Sequence, residues 1–146
     1  MTSTRIVISG FTILAVFAAW SVTPTLAKSA PTTRGGVYSA EQSQQGKALY
    51  DSKCAMCHGP ALKGNGPFPP LAGDAFLTKW NGKTLADLDL KIQATMPTTE
   101  PGTLTPDDTA RLVAYILSTN TFPAGEELPK DAEALKAIRI ENTPPQ

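Results

Sequence analysis

The chain has 146 residues, and its 13 Lys and Arg are matched by 13 Asp and Glu, a formal net charge of zero at pH 7. With no basic run or stripe, this balance excludes an electrostatic surface for nucleic acid and opposes steering by one sign of charge. The length suits one domain, and two Cys and one His leave little material for a metal cluster or a disulfide framework.

Taken in chain order, the first piece is a targeting segment. Arg5 precedes an apolar run over residues 6–20, Pro24 interrupts it, and Thr25-Leu26-Ala27 offers small residues for cleavage. Residues 1–27 therefore read as a secretory signal peptide, cleaved after Ala27. The alternative, an uncleaved anchor, is disfavoured because the run is shorter than the roughly 20 residues that span a bilayer. The expected product is exported to the periplasm and has no membrane span after cleavage. Residues 28–38 are rich in Pro, Thr and Gly and predict a flexible leader. Ser39, with Gln42 three residues on, forms a capping-box pattern that opens a helix running to about residue 52. Gly46, Tyr50 and Cys54 follow at spacings of four and would share one face if the helix continued.

Cys54-Ala55-Met56-Cys57-His58 comes next and carries the chemistry. It is the C-x-x-C-H signature of covalent haem attachment. Each thiol adds to one vinyl group, and the adjacent imidazole of His58 is held beneath the iron. In an oxidising compartment a free thiol pair tends toward a disulfide; thioethers avoid that fate. A thiol–disulfide oxidoreductase using Cys54 and Cys57 is a competing reading, but no βαβ setting accompanies it. A zinc site built on Cys54, Cys57 and His58 would be one ligand short.

Residues 59–74 contain four Gly and four Pro and predict a loop. A short helix is expected over 75–80. Thr84 and Asp87 start another, with Leu85, Leu88 and Ile92 as its apolar stripe. Met96-Pro97 ends that segment. Thr105-Pro106-Asp107-Asp108 is a third helix start, with Leu112, Val113, Ile116 and Leu117 facing inward and residues 120–123 stopping it. A last short helix is expected over 131–140, with Leu135 and Ile138 inward, before a polar tail. No alternating strand pattern occurs. The fold class is all-α, several helices with long Gly/Pro loops wrapped round one covalent haem. So thin an apolar core predicts a poorly folded chain without that group.

The sixth iron ligand follows by elimination. A second His does not exist; Met1 leaves with the signal peptide; Met56 lies between the attaching cysteines on the His58 side. Met96 remains, against the plainer alternative of a core gap-filler. His/Met ligation leaves no exchangeable position and favours electron transfer over bond-making. The second ring nitrogen of His58 should donate to a fixed acceptor, for which the Pro69 carbonyl is a candidate.

With these residues in place, 39–123 resembles a class I cytochrome c, and the domain is expected over 39–125. The likeness rests on Gly46-x-x-x-Tyr50, the attachment pentapeptide, Pro69-x-Leu71-x-Gly73, Met96-Pro97 and the Leu112–Leu117 stretch. It implies that the first and last helices cross at Gly46, with Tyr50, Leu112 and Tyr115 packed there, and that Pro69 gives its carbonyl to His58. A narrower likeness runs through Asp74–Trp80, Lys83–Leu88, Thr95-Met96-Pro97 and Phe122-Pro-Ala-Gly125. It is similar to cytochrome domains serving quinoprotein alcohol dehydrogenases and implies that Trp80 donates its indole N–H to a haem propionate. Residues 126–146 are then a C-terminal extension with one short helix. The function implied is a non-enzymatic electron carrier with one haem c, fed by a periplasmic dehydrogenase and discharged to an oxidase or another cytochrome. The alternative is a dedicated cytochrome subunit of a quinoprotein dehydrogenase complex.

Overall fold

The computed structural model describes residues 31–142. The expected signal peptide, the first residues of the leader and the last four residues of the tail lie outside them. Among the described residues, after a 3-10 turn at Thr33–Gly35, six α-helices form: α1 (Ala40–Lys53), α2 (Ala55–His58), α3 (Asp74–Trp80), α4 (Leu85–Thr95), α5 (Pro106–Thr119) and α6 (Ala132–Lys136). Among the described residues no strand forms, only isolated bridges, so the architecture is all-α as expected.

The long helices begin where side chains satisfy their first N–H groups. Ser39 with Gln42, Thr84 with Asp87 and Thr105 with Asp108 each complete a reciprocal capping box. The central contact is α1 against α5. Gly46 permits it: a Cβ there would sit 1.9 Å from the Arg111 carbonyl oxygen, so any side chain would force the helices apart. One turn on, the Tyr50 and Tyr115 rings pack with centroids 5.4 Å apart, and the Tyr50 hydroxyl donates to the Gly59 carbonyl at 2.6 Å. That bond ties the end of α2 to α1.

Residues 59–73 run without helix, and Asp74 already belongs to α3. The loop is nonetheless held closely. Gly64 N–H donates to the His58 carbonyl, and Leu71 and Ala72 N–H both donate to the Leu62 carbonyl. Leu62 is fully buried with a left-handed φ of 57°, a conformation that costs a branched residue about 1–2 kcal/mol and is offset here by burial and two accepted bonds.

The termini correct two sequence expectations. The leader predicted over 28–38 is packed from Thr32 onward. Thr33 and Tyr38 are buried; Thr33 N–H donates to the Arg139 carbonyl and Arg139 N–H to that of Pro31. The Tyr38 hydroxyl donates to the Phe122 carbonyl at 2.7 Å, and Arg34 lies 4.8 Å over the Phe122 ring while donating to the Glu141 and Asn142 carbonyls. A polar, Pro-rich composition predicts mobility only where no partner exists; here Val37 and Tyr38 supply burial and residues 139–142 supply bonds. For the same reason the final helix stops at Lys136 rather than near residue 140. Residues 138–140 leave it to exchange backbone bonds with Gly82, Lys83 and Leu85. Leu135 and Ile138 face inward as expected.

Candidate functional site

Between the α2 loop and the end of α4 lies a cleft of about 1050 Å³, open mouth included, lined mainly by apolar atoms. Cys54, Cys57, His58, Pro69, Trp80 and Met96, the six residues singled out from sequence, all line it. Leu88 and Ile92 of α4 and Leu112 and Ile116 of α5 supply apolar walls.

One wall is the His58 side. The residues from Cys54 to His58 turn sharply through α2, with His58 N–H bonded to the Cys54 carbonyl at 2.9 Å. His58 is buried, its Nδ1 stands 2.8 Å from the Pro69 carbonyl, and the Phe68 ring meets it edge-on at 6.2 Å. A carbonyl only accepts, so Nδ1 donates to it, and Nε2 is left without a protein partner among the described residues. Met56 touches the cleft at the attachment end but is 88% exposed.

Met96 belongs to the other wall. It caps α4 in an extended conformation, its N–H bonded to the Ile92 carbonyl, and its half-buried side chain lines the cleft. Trp80 closes the same side at the end of α3, with its ring centroid 6.2 Å from that of Phe76 and the Lys79 ammonium 5.8 Å over its face. Its indole N–H has no acceptor among the described residues, which suits an acidic group entering the cleft.

The arrangement fits haem c: two cysteines, an oriented imidazole beside them and a thioether from the end of α4 all line one cleft whose surface is mainly apolar. It fits thiol redox chemistry poorly. Burial pushes the Cys54 thiol up to about 11, away from the thiolate that disulfide exchange needs. Among the described residues no group of three His, Cys, Asp or Glu could hold a bare metal ion.

Sequence reasoning missed three things here. Lys53, Lys79 and Lys91 line the cleft with no acid among its lining, a local asymmetry hidden by the balanced total charge. Leu62 reads as a plain apolar residue, and Asn120 as a helix stop, yet both hold the loop that faces His58.

Comparison with known proteins agrees with this geometry. The family described as cytochrome C oxidase, cbb3-type, subunit III matches residues 41–116, just over half of the chain. Cytochrome c-554(547) of Halothiobacillus neapolitanus is 53% identical over 34 residues, 23% of this chain and 37% of that one; the match therefore spans little more than a third of that relative. Among solved structures, the sulfane dehydrogenase SoxCD from Paracoccus pantotrophus aligns over 92% of this chain and 68% of its own, at 21% identity and a TM-score of 0.47. Among the described residues no helix is long and apolar enough to cross a membrane. The matched segment contains the attachment pentapeptide, Pro69 and Met96, and the chain belongs to the cytochrome c family, through its cbb3-type subunit III domain, and carries covalently bound haem c.

Proposed function

We propose that the protein is a periplasmic electron carrier, exported by residues 1–27, that passes one electron at a time from a dehydrogenase to an oxidase or another cytochrome. What carries the reading is that an oriented His58 and Met96 line the same cleft from different elements. When bound, haem c supplies an iron centre that alternates between two oxidation states.

The chain's own residues do the rest. Cys54 and Cys57 hold the macrocycle through carbon–sulfur bonds. His58 presents Nε2 to the iron because its Nδ1–H is spent on Pro69. Met96 would offer its sulfur to the iron from the end of α4, in the place an exogenous substrate would otherwise take. Trp80 donates its indole N–H to a propionate. With His58 and Met96 both engaged by the iron, donor and acceptor would meet the protein at the cleft mouth, where such contacts are small and short-lived.

The likeness of residues 74–97 to cytochromes serving quinoprotein dehydrogenases favours a second reading, a dedicated subunit of such an enzyme. Co-purification with one large dehydrogenase through high salt would select it; elution alone would select the free carrier.

The test of the ligand set is Met96→Ala. The variant should keep its covalent haem by mass, gain carbon monoxide binding and fall in reduction potential. A visible spectrum identical to the parent would remove Met96 from the iron.

A further inference from the structure

Asn120 is 5% exposed, just beyond the end of α5, and its amide is fully engaged. Its Oδ1 accepts from Gly73 N–H at 3.0 Å. Its Nδ2 donates to the Leu71 carbonyl at 3.0 Å and the Ile116 carbonyl at 2.8 Å. Two partners lie in the loop and one in the helix, so this side chain clamps 71–73 to α5.

The same loop presents the Pro69 carbonyl to His58. Only Pro70 separates Pro69 from Leu71, and two consecutive proline rings fix φ at both. Leu71 is held on both sides of its backbone: its N–H by the Leu62 carbonyl at 2.8 Å and its C=O by Asn120. A displacement at Leu71 is therefore transmitted through a stiff, short link to the Pro69 carbonyl.

We propose that Asn120 is a positioning residue for electron transfer: by fixing Leu71 and Gly73 it holds the Pro69 carbonyl on the His58 Nδ1–H and so sets how strongly His58 donates to the iron. The inference rests on the reading of His58 as an axial ligand. A firmly accepted Nδ1 proton makes the imidazole a more basic ligand, which favours the oxidised iron. Loosening the clamp weakens that bond and moves the potential upward.

The experiment uses the holoprotein and two NMR and voltammetric readouts, solvent exchange of the His58 Nδ1–H and the reduction potential. In Asn120→Ala the exchange should accelerate roughly tenfold, the equivalent of about one lost hydrogen bond, and the potential should rise while Met96 stays bound. Asn120→Asp keeps an acceptor for Gly73 but, when ionised, sets a carboxylate against two carbonyls. Its exchange should be fast at neutral pH and slow again when the acid is protonated and donates. This second variant keeps the test open if the alanine protein does not fold. Thr105→Ala, which removes the cap at the far end of α5, should lower stability and leave both readouts alone. Unchanged exchange and potential in the Asn120 variants, or equal changes in Thr105→Ala, would overturn the proposal. The parent protein separates the two levels: His58 ring protons lacking the shifts of a haem ligand would refute the ligation itself, whatever the Asn120 variants do.

Discussion

The two walls of the cleft are held by different means. On the His58 side the loop secures itself: Gly64 to His58, Leu71 and Ala72 to Leu62, and Asn120 across to α5, all but Asn120 within the stretch that matches the family. On the Met96 side the local ties are fewer, Glu100 N–H to the Pro97 carbonyl and Gly102 N–H to that of Gln93, and residues 98–103 are exposed. Support there comes from behind. Gly82, Lys83 and Leu85, which join α3 to α4, are bonded by residues 138–140, outside the matched stretch. The His58 wall is thus fixed by its own neighbourhood, whereas the helix that carries Met96 is anchored at its far end by a belt, residues 138–140. The Met96 wall should be the first to yield.

The largest effect is expected from removing what joins both walls. In the double variant Cys54→Ser, Cys57→Ser no covalent haem is retained, and the cleft loses the apolar mass between α4 and α5. Thermal unfolding followed by circular dichroism should lose its cooperative transition; a sharp transition would show that the helices make a sufficient core alone.

Next, Ile140→Ala attacks the belt. Ile140 is fully buried and exchanges bonds with Gly82 and Lys83, so truncation should cost about 3 kcal/mol. More telling, an added exogenous ligand should displace Met96 more readily than in the parent. Equal displacement would mean that the belt stabilises the fold without supporting the Met96 wall.

Gly64→Ala attacks the other wall. Gly64 has φ +78°, and a Cβ there would meet the Phe68 carbonyl oxygen at 2.6 Å. Strain of about 2 kcal/mol is expected, with the His58 signals disturbed before those of Met96. Denaturant titration of the holoprotein, read by both sets of signals, checks the order.

The smallest effect concerns Asp89 on α4, which is 9% exposed. Burial raises its pKa to about 6, against about 3.9 in an unfolded chain. Below both values the acid is neutral in either state and costs nothing. Between about pH 4 and 6 the unfolded chain releases its proton first, so stability falls with rising pH and the loss is complete above 6. Asp89→Asn should therefore add about 1 kcal/mol at pH 7 and nothing near pH 3.5, a contrast that denaturant midpoints at the two pH values will show.

Much of this was legible in the sequence because the signals are local. Caps at Ser39, Thr84 and Thr105 announce helix starts through bonds made within three residues, and the apolar stripe of α5 follows from its period. The cleft residues were legible because attachment chemistry fixes the spacing of Cys54, Cys57 and His58, and because the scarcity of His and Met left few other donors. What escaped depends on distant pairings. Residues 32–38 look mobile until residues 139–142 are brought beside them. Asn120 looks like a helix terminator, since nothing in its neighbours reveals the Leu71 carbonyl and Gly73 N–H that it meets across the fold. The Lys53, Lys79 and Lys91 rim is invisible in a chain with zero formal charge, since only the fold sorts these lysines from the acids.

Iron held between His58 and Met96 would leave a direct mark in proton NMR of the reduced holoprotein. A methionine methyl lying over a porphyrin face feels its ring current and appears as one three-proton resonance far upfield of every other methyl. That resonance is expected in the parent, should vanish in Met96→Ala and should persist in Met56→Ala. Its absence from the parent, or its survival in Met96→Ala, would contradict the assignment.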